Sequence, residues 1–420
     1  MTVKNRQLFQ QVRILDPVSA IDQVSDILLE QGVITDIRDS IIPDDEQIEV
    51  IDGNNLILAP GLVDLYSSSG QPGYEERETL KSLAEASQAG GFTRVAILPN
   101  TNPVIDNPSL VTWIKQTTAL SKTKFYIWGS LTQNLEGVTI AELANLAESG
   151  VIGFTDNRPH SNLQLIRKLL EYAQPFNLPV ALVPINLQLR GNGVVRESNI
   201  SIRLGLMGYP EIAETIAIAS ILEIVSLTKT PVHLMRISTA RGVELIKQAK
   251  ENHLPITASV NWHHLLLNTE IVASYNPNLR FEPPLATEID RLALIKGIKN
   301  NVIDAIAVDH TPYTYEEKTV AFAQAPTGAI GLELVLPLLW ENLVVTGELS
   351  PLELWRSLSV NPLKCLKKES ITLQKGKPAE LTLFSPQQTW QVTPSQLKSL
   401  SSNTYWLDKQ LKGKIIAFPQ

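Results

Sequence analysis

Cysteine is nearly absent from this chain. Cys365 is the only one in 420 residues, which excludes an internal disulfide and fits a reducing compartment. Long apolar runs are absent too: the longest, residues 329–340, is too short to span a bilayer and is broken by Glu333. The first ten residues lack the apolar core of a signal peptide. Basic charge is not in excess. Lys and Arg number 36 against 43 Asp and Glu, a net charge of −7, which argues against a nucleic-acid partner. No Gly-x-Gly-x-x-Gly follows a strand-like run, and there is no P-loop, Gly-x-Ser-x-Gly elbow, internal repeat or low-complexity segment. These absences leave a soluble, cytoplasmic globular protein, and 44% hydrophobic with 19% charged residues suits that class.

What is there is alternation. Residues 9–15, 26–30, 33–37, 48–51 and 56–58 carry strand patterning, as do 381–384, 389–392 and 413–418 near the other end. Two β-rich ends predict one small β-sandwich domain built from both termini, with two independent β caps as the alternative. Between them, eight short apolar runs fall at 62–65, 93–98, 125–131, 151–155, 179–184, 232–237, 256–260 and 305–308. Helical spacing separates them, most clearly over 78–89, 163–173, 212–227 and 242–251. Eight strand–helix units over roughly 300 residues predict a (β/α)₈ TIM barrel of the α/β class with its functional face at the strand C-termini. A doubly wound sheet is the alternative. The expected boundaries are 1–58 and 366–420 for the β-domain and 59–365 for the barrel.

On that logic the chemistry sits just after each strand: Tyr66-Ser67-Ser68, Pro99-Asn100, Asp156-Asn157, Arg236, His263-His264 and Asp309-His310. Two acids at strand ends can hold a cation or serve as a general base, although each alone more often caps a turn or helix. Around them run Pro60-Gly-Leu-Val-Asp-Leu65, Pro72-Gly73, Ala89-Gly-Gly-Phe-Thr93, Pro99-Asn-Thr-Asn-Pro103 and Gly153-Phe-Thr-Asp156. Further on come Arg203-Leu-Gly-Leu206, Ile237-Ser-Thr239, His263-His-Leu-Leu-Leu267, Asp309-His310, Glu316-Glu-Lys318, Gly331-Leu-Glu333 and the tail from Gly376 to Phe384. Together these motifs resemble the dihydroorotases of the cyclic amidohydrolase family over nearly the whole chain. The resemblance implies the amidohydrolase type of barrel.

The departures carry as much information as the matches. The family opens a zinc site with Asp-x-His-x-His after the first strand and follows it with an arginine for the substrate carboxylate. Here Asp64 stays, the histidines are Tyr66 and Ser68, and the arginine is Gly70. The family histidine after the fifth strand is Val183, and the one before Ser-Thr is Arg236. The acids Asp156 and Asp309 remain, the second at the general-base position. Asn100 is kept among substrate contacts, and the asparagine before Pro283-Pro284 is Glu282. The vestigial metal positions are therefore Tyr66, Ser68, Asp156, Val183, Arg236 and Asp309, and no metal or other cofactor is expected. The six histidines, His160, His233, His253, His263, His264 and His310, all fall off the family's metal positions. His160, a few residues beyond Asp156, is expected as a loop residue without a functional role, with an inward swing toward the site as the alternative. Arg236 is expected to pair with Asp309, Asp156 or both, because unpaired acids deep in a barrel are costly.

The leading expectation is a dihydroorotase-like pseudoenzyme of pyrimidine biosynthesis. Family analogy points to a structural partnership with aspartate carbamoyltransferase and to a homo-oligomer. A working cyclic amidohydrolase (dihydroorotase, allantoinase or hydantoinase) with an altered site is the second reading. A small-molecule binder using the barrel mouth, with Arg236 and Asn100 on the ligand, is the third.

Overall fold

The computed structural model describes residues 6–43 and 48–418. The chain opens with β1 (Arg6–Asp16), β2 (Ile21–Glu30), β3 (Val33–Arg38), β4 (Glu49–Asp52) and β5 (Ile57–Pro60). The barrel strands follow as β6 (Leu62–Ser67), β7 (Phe92–Ile97), β8 (Lys124–Gly129), β9 (Gly153–Phe154) and β10 (Val180–Leu182). A short ribbon, β11 (Val195–Arg196) and β12 (Gly208–Tyr209), interrupts them before β13 (Val232–Leu234), β14 (Ile256–Asn261) and β15 (Ala305–Ala307). The last strands are β16 (Leu381–Gln391) and β17 (Gln410–Ile416).

The eight apolar runs all become strands of one parallel sheet in the order β15-β14-β13-β10-β9-β8-β7-β6. Runs apolar on both faces suit strands packed against side chains inside and helices outside. Helices Leu80–Ala89, Leu163–Ala173, Ile212–Thr228 and Ala240–Glu251 stand where helical spacing placed them. Thr79 caps the first through a capping box with Ser82, and Thr239 caps the last by accepting from the Gly242 N–H. Closure between β15 and β6 is made partly by a side chain. Ser67 bridges His310, and the Val308 N–H donates to Asp64 Oδ1 at 2.8 Å.

Strands from both termini pair as expected, with β16 antiparallel to β5. They join into one seven-stranded sheet rather than two separately bonded layers. The reason lies in β1, which bulges around Gln11, a residue at φ +55°. Residues 7–10 pair with β4, and Arg13 and Ile14 pair with β5, so one strand serves both halves. Glu380 ties this sheet to the barrel, accepting from Thr93 Oγ1 (2.8 Å), Arg94 Nε (2.6 Å) and Arg94 Nη2 (2.7 Å). The segment between β16 and β17 does not stay with the sheet. It returns to the barrel mouth, as described below.

Candidate functional site

Three strand ends converge on one ion pair. Arg236 follows β13, Asp309 follows β15 and Asn157 follows β9. Arg236 donates from Nε and Nη2 to the two oxygens of Asp309, both at 2.7 Å, and from Nη2 to Asn157 Oδ1 at 2.7 Å. Asn261, the last residue of β14, adds a bond from Nδ2 to Asp309 Oδ2 at 3.1 Å. The side chains of Arg236 and Asp309 are 10% and 8% exposed, so a bidentate pair here is strong and charge-assisted. Asn157, Arg236 and Asp309 all hold φ between +53° and +55°. Left-handed backbone at non-glycine residues is costly and collects where geometry serves a site.

The loop after β6 is bound inward. Asp64 is fully buried, accepting from Ser67 Oγ (2.5 Å) as well as the Val308 N–H. Burial, and then the Asp309 charge, push its carboxyl up to about 7. Tyr66 is fully buried and shares a 2.7 Å hydrogen bond with Ser259, whose hydroxyl also lies 2.9 Å from His233 Nε2. Ser68 accepts from Asn100 Nδ2 at 3.1 Å. Gly70 holds φ +66°, and a Cβ there would stand 2.5 Å from the Glu78 carbonyl oxygen. The position where the family carries its arginine therefore admits no side chain in this loop conformation.

Asp156 does not meet Arg236. Its Oδ1 accepts the N–H groups of Leu131 (2.7 Å) and Thr132 (3.0 Å), and its Oδ2 accepts Thr132 Oγ1 (2.5 Å). It organises the loop after β8. His160 takes the inward alternative: its ring turns toward the site, with Nε2 3.3 Å from Asp156 Oδ2. A histidine four residues after the acid lies within reach, which spacing alone signals weakly. Val183 is buried in the same apolar cluster as Tyr66 and Met235.

Zinc in a hydrolase needs imidazole or thiolate with carboxylate around an open position. Tyr66, Ser68, Val183 and Arg236 supply neither imidazole nor thiolate, and Arg236 engages both oxygens of Asp309. Among the described residues no three His, Cys, Asp or Glu side chains converge on a point. The donor set does not fit the metal.

His233, His263, His264 and His310 are buried, whereas His253 is exposed. His310 Nδ1 accepts from the Gly331 N–H (3.2 Å), which leaves Nε2–H to donate to Glu78 (3.2 Å). His263 stacks between Trp262 and Phe281, with ring centroids at 3.9 and 4.2 Å. Burial holds His264 down to about 4 and His233 to about 3, so both are neutral at pH 7. The segment between β16 and β17 covers this ground. Glu78 accepts Ser399 Oγ and the Leu400 N–H (3.2 Å), and Trp406 stacks on Trp262 at 4.9 Å. Asn403 accepts from the Tyr313 N–H (3.1 Å) and donates to the Thr311 carbonyl (3.0 Å). Glu282 is taken up by Arg190, whose Nη1 lies 2.6 Å from its Oε1.

Comparison with known proteins gives the family and the fold. A family described as "Dihydro-orotase-like" matches residues 55–241. A Synechocystis sp. protein named "Probable dihydroorotase-like protein" is 45% identical, the alignment covering 97% of this chain and 98% of that one. A "Dihydroorotase" of Syntrophus aciditrophicus is 36% identical over 96% of this chain and 95% of its own length. Among solved structures, an L-hydantoinase (dihydropyrimidinase) from Arthrobacter aurescens superposes with a TM-score of 0.85 at 20% identity, covering 98% of this chain and 93% of that one. A dihydropyrimidinase from Brevibacillus agri gives 0.80 at 17%, covering 98% and 93%.

Proposed function

Because the chain belongs to the dihydroorotase-like family of cyclic amidohydrolases, we propose that it is a non-hydrolytic member whose metal centre has been replaced by an ion pair. The observation that carries this is the bidentate Arg236–Asp309 contact. The guanidinium stays protonated at any physiological pH and supplies the positive charge the carboxylate needs. It can neither ionise a water nor offer an open coordination position, so the two contributions a metal makes to amide hydrolysis are lost. A general base alone contributes far less. Asp309, the candidate base, is engaged on both oxygens by Arg236, and Asn261 donates to one of them. Arg236 in turn commits Nε and Nη2 to Asp309 and Asn157.

The role proposed for such a barrel is structural: a cytoplasmic, homo-oligomeric partner of aspartate carbamoyltransferase in pyrimidine biosynthesis. That part rests on family analogy. Equilibrium dialysis against micromolar zinc followed by metal analysis tests the loss of the centre. Less than one-tenth of a zinc ion per chain is the expected result, and stoichiometric retention abolished by Asp309→Asn contradicts it. Co-elution with the transferase of the same organism tests the partnership. A working amidohydrolase is the competing reading, favoured by the retained Asn100, Asp156 and Asp309.

A further inference from the structure

A cleft of about 1010 Å³ runs between the barrel and the terminal sheet. It opens beside the first residues of β7 and β8, whereas Arg236 and Asp309 follow strand C-termini. Lys122 and Lys124 stand on its barrel wall, Lys414 of β17 on its sheet wall, and Lys398 on the segment between β16 and β17. None of these four ammonium groups makes a hydrogen bond or an ion pair among the described residues. The acids on the same walls are directed elsewhere. Glu380 is held by Thr93 and Arg94, and Glu333 accepts the N–H groups of Lys398 (2.9 Å) and Ser399 (3.1 Å). Glu85 is exposed and lies 3.9 Å from Lys81. Uncompensated positive charge therefore gathers in this cleft, in a chain whose net charge is −7. Between the lysines the lining is apolar. Trp390 is half-buried, its indole fixed by a bond from Nε1 to the Gly413 carbonyl at 2.9 Å, and Lys414 Nζ lies 5.9 Å from its ring centroid. Phe92, Leu383 and Ile415 continue that surface.

Small-molecule sites are clefts of roughly 300–1,000 Å³ that collect where domains meet, apolar for the most part with a few charged groups. Lysine binds phosphate as a point charge, and like charges gathered without counter-ions repel one another until an anion joins them. A fixed indole offers a face on which a nucleobase can stack. We propose that this cleft binds a nucleoside polyphosphate, its phosphates among Lys122, Lys124, Lys398 and Lys414 and its base against Trp390. The lysines come from three segments that meet around the cleft, which suits a compact polyanion better than an extended acidic peptide. The site goes beyond the non-hydrolytic reading and does not depend on it, since neither Arg236 nor Asp309 lines the cleft.

Titration calorimetry of the full chain at low salt with ATP, inorganic tripolyphosphate and adenosine tests this. ATP carries both the phosphates and the ring, and each of the other probes carries one of the two. The expected order is saturable binding of ATP, binding of tripolyphosphate at least about tenfold weaker because stacking is lost, and none of adenosine. Added salt should weaken both anions, since Lys122, Lys124 and Lys398 are exposed. Lys124→Ala/Lys414→Ala should leave the unliganded Tm unchanged, because neither ammonium is bonded, and weaken ATP at least about tenfold. Trp390→Leu should bring ATP down to the affinity of tripolyphosphate; if that variant does not fold, the comparison of the two probes on the parent carries the same test. No binding of ATP, equal affinity in the parent and the double lysine variant, or tripolyphosphate as tight as ATP overturns the proposal. A poly-glutamate peptide that binds more tightly than ATP and displaces it also overturns it, in favour of an acidic protein segment.

Discussion

At the scale of single residues, the Arg236–Asp309 pair should be a large stabilising contact only as a pair. Arg236→Met leaves a buried carboxylate held by one asparagine, and breaking such a pair costs about 3–5 kcal/mol. Urea denaturation at pH 7 should show that loss, with most of it recovered in Arg236→Met/Asp309→Leu; a single-variant loss under about 1 kcal/mol would contradict a structural pair. Gly70 makes a second prediction. With φ +66° and a Cβ position 2.5 Å from a carbonyl oxygen, even Gly70→Ala should lower stability by about 1–3 kcal/mol, so arginine cannot be restored there by one substitution. The positions of Asp156, Asp309 and Arg236 were legible from motif and spacing. Asn157 stood out as a strand-end residue, but its bond to Arg236 and the part played by Asn261 were not legible, because a lone asparagine leaves no periodic signal.

Titration gives a third prediction with a definite sign. Asp64 and Glu333, both buried, are pushed up to about 7, whereas carboxyls in the unfolded chain ionise near 4. The folded state therefore binds the proton more tightly, and these groups lower stability as pH rises from about 4 to about 7. His233 acts oppositely: held neutral down to about 3, it loses its contribution as pH falls below about 6.5. Asp64→Asn can keep the Val308 and Ser67 contacts without the charge. Denaturation midpoints across pH 4.5–8 should fall less steeply in that variant. An unchanged slope would show that Asp64 is not the buried acid responsible.

At the scale of elements, the segment between β16 and β17 is the part the sequence hid. Its strand ends follow a period of two, but residues 393–409 are held by scattered bonds to Glu78, Glu333, Thr311 and Tyr313 that no local pattern encodes. Glu78 receives three of the donors at this junction, from His310, Ser399 and Leu400. Glu78→Ala should release the segment locally, raising amide exchange at 399–403 by one to two orders of magnitude, in line with about 1–3 kcal/mol for buried groups left unpaired. Exchange unchanged at these amides and raised across the whole barrel would point instead to global destabilisation.

At the scale of the whole molecule, eight apolar runs in a strict alternation with helices sufficed to specify the barrel, since that pattern has few compact solutions. On the proposed reading the framework persists around a site whose chemistry has changed, which is how one fold carries different functions. The central claim is that an ion pair has taken the place of a metal and with it the hydrolytic activity. Ring opening of L-dihydroorotate by the purified chain, at micromolar protein with and without added zinc, tests it most directly, with the Syntrophus aciditrophicus dihydroorotase as the positive control. The expected result is a rate equal to the buffer-plus-zinc control in both conditions. Turnover above that control, lost in Asp309→Asn, would contradict the claim.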